Sequence, residues 1–344
     1  MRTEPFGDSP HGPVQRLTIG QEPGPVLELL DLGATVHRLW VTGGDGVRRN
    51  VVLGNATVAE HRASTHYLGG TIGRYANRIA GGRFSLDGAE VQLETNDRGN
   101  NLHGGPEGFD RQLWAVADSS DRHVTLRLTS PGGDQGFPGQ LTVTVRFETT
   151  EDSVEVRFAA STDAPTVVNL TSHAYFNLDG EGSGSIDEQL LRIDADDYLP
   201  VDDTGIPSGG LEPVAGTPFD VRRPTRLAEA VRGRHDQVLA AHGIDHNYAP
   251  AGDGWRLVAT LDSPRTGTRM ELHSDQPGLQ VYTGNGLDGV LGSTEGRLYR
   301  QGDGLALEPQ LFPDTPNRPD FGSAALRPGE TYRAALDWRF VPLP

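Results

Sequence analysis

Two short stretches hold side chains suited to moving protons. The first is NLTSHAYFNL, residues 169–178. Under the period of two that a strand imposes, Val168, Leu170, Ser172, Ala174, Phe176 and Leu178 share one face. Asn169, Thr171, His173, Tyr175 and Asn177 share the other. Every side chain of that second face is an uncharged or titratable hydrogen-bonding group, and none is Lys, Glu or Arg. Such a row suits the floor of a cleft for a polar, uncharged ligand. The second stretch is LALEPQLFPDTPN, residues 305–317. Alternation sets Glu308 and Gln310 against Leu305, Leu307 and Leu311. Pro309 has no N–H to give a central ladder, which predicts an edge or a bulge, and it holds Glu308 extended. A carboxylate with apolar neighbours on both sides is partly desolvated, which raises its pKa and makes it a better base near neutral pH.

Three further segments carry polar side chains that such a cleft could use. In GLQVYTGNG, residues 278–286, Gln280 and Tyr282 share a face, a pairing that suits a sugar's hydroxyls and its C–H surface. In GGTIGRYANRIAGGRFSLDG, residues 69–88, Arg74 and Arg78 point the same way if extended, with Tyr75 and Asn77 opposed. His103 follows in the loop NNLHGG, and in IDHNYAP the adjacent Asp245 and His246 diverge. Each has a plainer reading taken singly: Glu308 as a carboxylate on a sheet edge, Gln280 and Tyr282 as the exposed face of a strand, His103 as an exposed loop histidine.

Composition removes other chemistries. The chain of 344 residues has no Cys, and its basic residues are all Arg. Thiolate nucleophiles, disulfides, Schiff bases and a P-loop lysine are therefore excluded. The formal net charge of −17 argues against nucleic acid and against an anionic membrane surface as partners. No His-x-x-x-His with a nearby Glu, no His-x-His and no calcium loop occurs, DADDYLPVDDTG having the wrong glycine placement, so no metal is expected. The G-x-S-x-G elbow of a serine hydrolase is absent.

The elements that position these groups read as strands. VTLRLTS, QLTVTVRFET, DSVEVRFAAS, WRLVATLDS and RMELHSD alternate and are bounded by Gly, Asp, Asn and Pro. A hairpin turn is expected at TTEDS, between Phe147 and Val154. One helical segment is expected from Thr225 to Gly243, capped by Thr225 and interrupted by Gly233. Strand follows strand through the whole length with no repeat and no low-complexity linker. The expectation is an all-β protein, a single large antiparallel sandwich over residues 1–344. Two sandwiches in series, divided between Gly180 and Asp220, are the alternative. The N-terminal segment has no apolar core of signal-peptide length and no run spans a membrane, so the chain as written reads as cytoplasmic.

Nine ordered blocks, GRYANRIAGGRFSLDG, NNLHGG, GFDRQLW, NLTSHAYFNL, YLPVDDTGIPSG, PVAGTPFD, DHNY, QVYTGN and EPQLFPDTPN, resemble the aldose 1-epimerase family, the galactose mutarotases. They cover the chain from about Leu68 to Asn317. The resemblance implies one galactose mutarotase-like β-supersandwich. It implies an isomerase that interconverts the α and β anomers of free hexoses, such as galactose or glucose, without a cofactor. It implies His173 as the general acid on the ring oxygen, Glu308 as the general base on the anomeric hydroxyl, and His103 as a second active-site histidine. Asn77, Arg78, Asp245 and Gln280 then match sugar-binding positions, and Tyr175 lies beside the acid. Only the resemblance favours Arg78 over Arg74 for sugar contact. Ser172 stands where many relatives have Asn, and Arg111 where Lys is frequent. The only partner expected is the sugar, and the protein would act as a monomer or homodimer. Three rivals remain: a binding module of the same fold, a glycoside hydrolase with Glu308 and Asp245 as its carboxylates, and an epimerase for hexose 6-phosphates, which would want several Arg converging on phosphate.

Overall fold

The computed structural model describes residues 1–292, 294 and 296–343. Strands are the dominant regular structure, and the ladders between them are antiparallel. The largest sheet has nine strands, in the order Ala115–Ser119, His123–Ser130, Leu141–Thr149, Ser153–Thr162, Tyr332–Pro342, Thr268–Ser274, Arg256–Ser263, Leu190–Ile193, Thr225–Arg226. A second sheet has six: Tyr175–Phe176, Leu305–Gln310, Gly278–Tyr282, Asp245–Pro250, Ala195–Leu199, Glu212–Pro213. A five-stranded meander occupies residues 2–50. The architecture is the all-β antiparallel sandwich that the alternation predicts.

The segment LTVTVRFET shows how the sequence builds these layers. Leu141, Val143, Val145, Phe147 and Thr149 are buried, and the residues between them are not. β-branched and aromatic side chains at every second position fit a pleated surface with one covered face. The neighbouring strand pairs with it through the turn expected at TTEDS, with Thr149 opposite Val154. One contiguous buried cluster joins these three larger sheets, including Leu27 and Val36 of the meander, Val143, Phe158 and Trp338 of the large sheet, and Leu279, Val281 and Leu307 of the six-stranded one. Each buried Leu or Val in it contributes about 1.5–3 kcal/mol of apolar transfer free energy.

The helical expectation over Thr225–Gly243 needs correction in part. Two short helices, Leu227–Val231 and Asp236–Ala241, flank the break at Gly233. The break has a steric reason, because a Cβ on Gly233 would lie 2.4 Å from Cγ of Pro218. Thr225 is not the cap. It is a strand residue paired with Leu191, and Arg226 stands at the cap position with no side-chain hydrogen bond. Among the described residues no helix is long and apolar enough to cross a membrane.

Candidate active site

The six-stranded sheet sets Glu308. Its register aligns Asn247, Gln280 and Glu308 across three strands, and Asp245, Tyr282 and Ala306 two residues away. Directly opposed residues share a face, as do residues two apart. Asp245, Gln280, Tyr282 and Glu308 therefore project together into one open cleft of about 660 Å³. Gln280 Nε2 donates to Asp245 Oδ1 at 2.7 Å. On the Leu305–Gln310 strand the Tyr175–Phe176 strand pairs with Leu305 and Ala306, so Pro309 falls beyond that neighbour, in the edge setting its missing N–H requires. Glu308 is 1% exposed. Burial pushes its carboxyl well above the usual range, the negative charge of Asp245 pushes the same way, and Arg78 opposes them.

His173 enters from the opposite side, with Nε2 3.5 Å from Glu308 Oε1. The continuous strand expected over Val168–Leu178 does not form. Two-residue strands at Thr171–Ser172 and Tyr175–Phe176 flank an irregular His173–Ala174. The reason is local: the His173 amide and carbonyl bond to Gly70 and Gly69 instead of to a strand neighbour. Of the polar face only His173 and Tyr175 line the cleft. Asn169 and Asn177 are buried cross-links: Asn169 donates to the Ala76 carbonyl and accepts from Leu311 N–H, and Asn177 donates to the carbonyls of Gly184 and Asp303. Thr171 is also fully buried. The imidazole of His173 is stacked between Tyr175, at 4.9 Å, and Tyr67, at 5.9 Å. Burial in this stack lowers its pKa to about 4, against a smaller upward pull from Asp245.

The second histidine is fixed as a donor. His103 has a φ of +54° and stands edge-on to His173 with centroids 5.3 Å apart. Its Nδ1 accepts the backbone N–H of Asn77 at 3.1 Å. The neutral ring therefore carries its proton on Nε2. Burial, then the neighbouring His173 and Arg78, hold its pKa well below the imidazole range. His103, His173 and Glu308 each offer an atom within 4.8 Å of the others, as three metal ligands would. The bond from Asn77 makes His103 a proton donor there rather than a lone-pair ligand, so the set does not match a metal site.

The extended reading of Arg74–Arg78 also needs correction. Asn77 sits at φ +64°, so the chain turns and Asn77 and Arg78 both line the cleft. Arg74 points into the protein and donates to the carbonyls of Ser130, Pro131, Pro138 and Gly139. It does not line the cleft. We expect Arg74→Met to lose at least about 3 kcal/mol of stability, since several charge-assisted bonds of about 1.5–3 kcal/mol each are removed, with KM unchanged. A rise in KM at unaltered melting temperature would refute this. Asp245 and His246 diverge as their adjacency predicts: Asp245 lines the cleft, whereas His246 bonds Gln237 and packs on Phe219.

Sequence reasoning missed Tyr67, His66 and Asp97 on the cleft wall. Tyr67 lies at φ +55° in a loop with no periodicity, so no local signal announces it. Tyr282, which the sequence pairs with Gln280 on one face, does line the cleft.

These groups place a buried carboxyl beside a buried imidazole at an open, hydrogen-bonding cleft. The pattern of the aldose 1-epimerase family matches residues 15–338. An aldose 1-epimerase of Escherichia coli (strain K12) is 40% identical over 337 residues, 96% of either chain. A galactose mutarotase of Rattus norvegicus is 39% identical over 338 residues, 97% of either chain. The crystal structure of galactose 1-epimerase from Lactobacillus acidophilus superposes with a TM-score of 0.88 at 28% identity, covering 100% of this chain and 99% of that one.

Proposed function

Since the chain belongs to the aldose 1-epimerase family, an isomerase family that interconverts the anomers of aldoses, we propose that its substrate is a free, uncharged aldohexose such as galactose or glucose, with Glu308 as base and His173 as acid. The observation that carries this reading is the 3.5 Å approach of His173 Nε2 to Glu308 Oε1 across a buried cleft. The carboxylate of Glu308 takes the proton from the anomeric hydroxyl. As C1=O1 forms and C1–O5 breaks, protonated His173 gives its Nε2 proton to O5. Rotation about C1–C2 and the reverse transfers close the other anomer. His103, as a fixed Nε2–H donor, is available to hydrogen-bond near the ring oxygen. Asn77, Arg78, Asp245 and Gln280 hold hydroxyls, and Tyr175 stacks the acid.

The electrostatics support this cycle. Before opening, the pair is ionised, Glu⁻ with HisH⁺; after opening it is neutral. Burial favours the neutral form of both groups, so ring opening discharges two desolvated charges. The ionised start is supported from outside, Arg78 favouring the carboxylate and Asp245 the imidazolium. The reactive state holds one proton on the pair, so kcat/KM should be bell-shaped with both limbs belonging to the pair. Asp245 raises the pKa of both members. Asp245→Asn should therefore move both limbs to lower pH, besides weakening sugar binding. Limbs that stay in place or move up would contradict this arrangement.

Arg78 is the only Arg among the described cleft residues, and it stands beside Asp97, Asp245 and Glu308. That wall repels a phosphate, which disfavours hexose 6-phosphates. The partner at 3.5 Å from Glu308 is a histidine, and the carboxylate of Asp245 is held by the Gln280 amide, which disfavours a glycosidase. A module that only binds sugar would have no need of the acid–base pair. The buried cluster that spans the nine-, six- and five-stranded sheets supports reading residues 1–344 as one domain. Polarimetry of freshly dissolved α-D-galactose, α-D-glucose and α-D-galactose 6-phosphate tests the substrate class. Accelerated relaxation of the free sugars alone is expected. No acceleration of either free sugar, or faster turnover of the phosphate, would overturn the proposal.

A further inference from the structure

The block YLPVDDTGIPSG, residues 198–209, contributes no reacting group, yet its turn reaches the cleft wall. We infer that the loops Asn96–Asn100 and Asp202–Ile206 form a brace that aims Arg78 at the sugar, with Asp97 as the positioning residue. The inference rests on the reading of Arg78 as a sugar-binding group. Arg78 donates from Nε to Asp97 Oδ2 at 2.8 Å. Among the described residues no group accepts from its Nη nitrogens, and Arg78 lines the cleft. One edge of the guanidinium is thus held by protein and the other edge is left to the ligand, as its rigid fork allows.

The two loops are tied to each other behind this contact. Arg98 donates to the Asp97 carboxylate and, through Nη1, to the Asp203 carbonyl at 2.9 Å. Asn100 Nδ2 donates to the Thr204 carbonyl. Asp202 Oδ1 shapes the second loop by accepting from Thr204 N–H at 2.8 Å and Ile206 N–H at 3.1 Å. That turn brings Gly205, at φ +82°, against the guanidinium, where a Cβ would lie 2.8 Å from Cζ of Arg78. A glycine is needed there for two reasons, the left-handed backbone and the missing volume. The brace therefore fixes Arg78 on two sides, by charge from Asp97 and by contact from Gly205. Because Arg78 also favours the ionised form of Glu308, its placement bears on chemistry as well as binding.

The test is a double-mutant cycle in the full-length protein, with galactose mutarotation read by polarimetry and folding by thermal melting. Asp97→Asn should raise KM about tenfold, with a smaller fall in kcat. In an Arg78→Lys background, where the fork is gone, the same change should alter KM less than twofold. Gly205→Ala, which keeps Asp97, should raise KM in the native background and not in Arg78→Lys. It decides the matter if Asp97→Asn does not fold. Equal KM effects in both backgrounds, or no KM effect in the native one, would overturn the brace. A native protein that does not accelerate mutarotation would instead defeat the assignment of the site, leaving a distinguishable outcome.

Discussion

Glu308→Gln should fold normally and lose about 10²–10⁴-fold in kcat/KM for mutarotation, the range for loss of one positioned general base. At about 1.4 kcal/mol per decade this is roughly 3–5 kcal/mol of transition-state stabilisation. The amide keeps the shape and the hydrogen-bonding edge of the carboxylate, so sugar binding should survive when measured by calorimetry. The same substitution has a second, opposite effect. A carboxyl whose folded pKa is raised binds more protons folded than unfolded, so its contribution to stability falls as pH rises above the unfolded value of about 4.3. Removing it removes that slope. The variant should therefore melt higher than the native protein, with the gap widening from pH 5 to pH 8. Activity lost together with a lower melting temperature would mean that Glu308 is a structural carboxylate.

His173→Gln should lose activity over a similar range, and the double variant with Glu308→Gln should lose little more than either single one. The two transfers act on one C–O unit, and removing either leaves the other without a purpose. Losses that simply multiply would point to two independent roles. Stability should again change in a pH-dependent way, with the opposite sign of slope. The folded imidazole titrates near 4 and the unfolded one near 6.5, so the native protein loses stability as pH falls between those values. His173→Gln lacks that group and should be less acid-sensitive in this window. A variant that keeps a tenth or more of native turnover would remove His173 from the acid role.

Alternation read the regular parts of the fold and of the site well. The pairing of Gln280 with Tyr282 and the separation of Glu308 from Leu305, Leu307 and Leu311 were legible because these residues lie in unbroken ladders, where side-chain direction follows position; that the two strands align Gln280 with Glu308 is seen only in the structure. The Leu141–Thr149 strand was legible for the same reason. Reading failed where the backbone leaves the pleat. Arg74 and Arg78 were given one side because nothing local announces the positive φ of Asn77, and Val168–Leu178 looked continuous because its alternation is good even though its hydrogen bonds go elsewhere. Asn169 and Asn177 seemed suited to a ligand because sequence alone cannot separate a polar group facing a cleft from one bonded to buried backbone. Asp97 had no signal at all, since its importance comes from the loop that lies across from it. The resemblance supplied the choice of Arg78 over Arg74, and the geometry of the two side chains agrees with it.

The alignment of Gln280 with Glu308 across neighbouring strands makes the site intolerant of a particular kind of genetic change. Side chains on these strands alternate between the cleft and the buried cluster, so deleting or inserting one residue in 305–307 would exchange the two sets. Leu307 or Pro309 would then face the sugar, and Glu308 would be driven among Leu279, Val281 and their neighbours. Substitutions along this strand sample graded losses. A one-residue length change abolishes catalysis and packing together, so lineages of this protein should vary in length within the surface turns while keeping the spacing from Gly278 to Gln310.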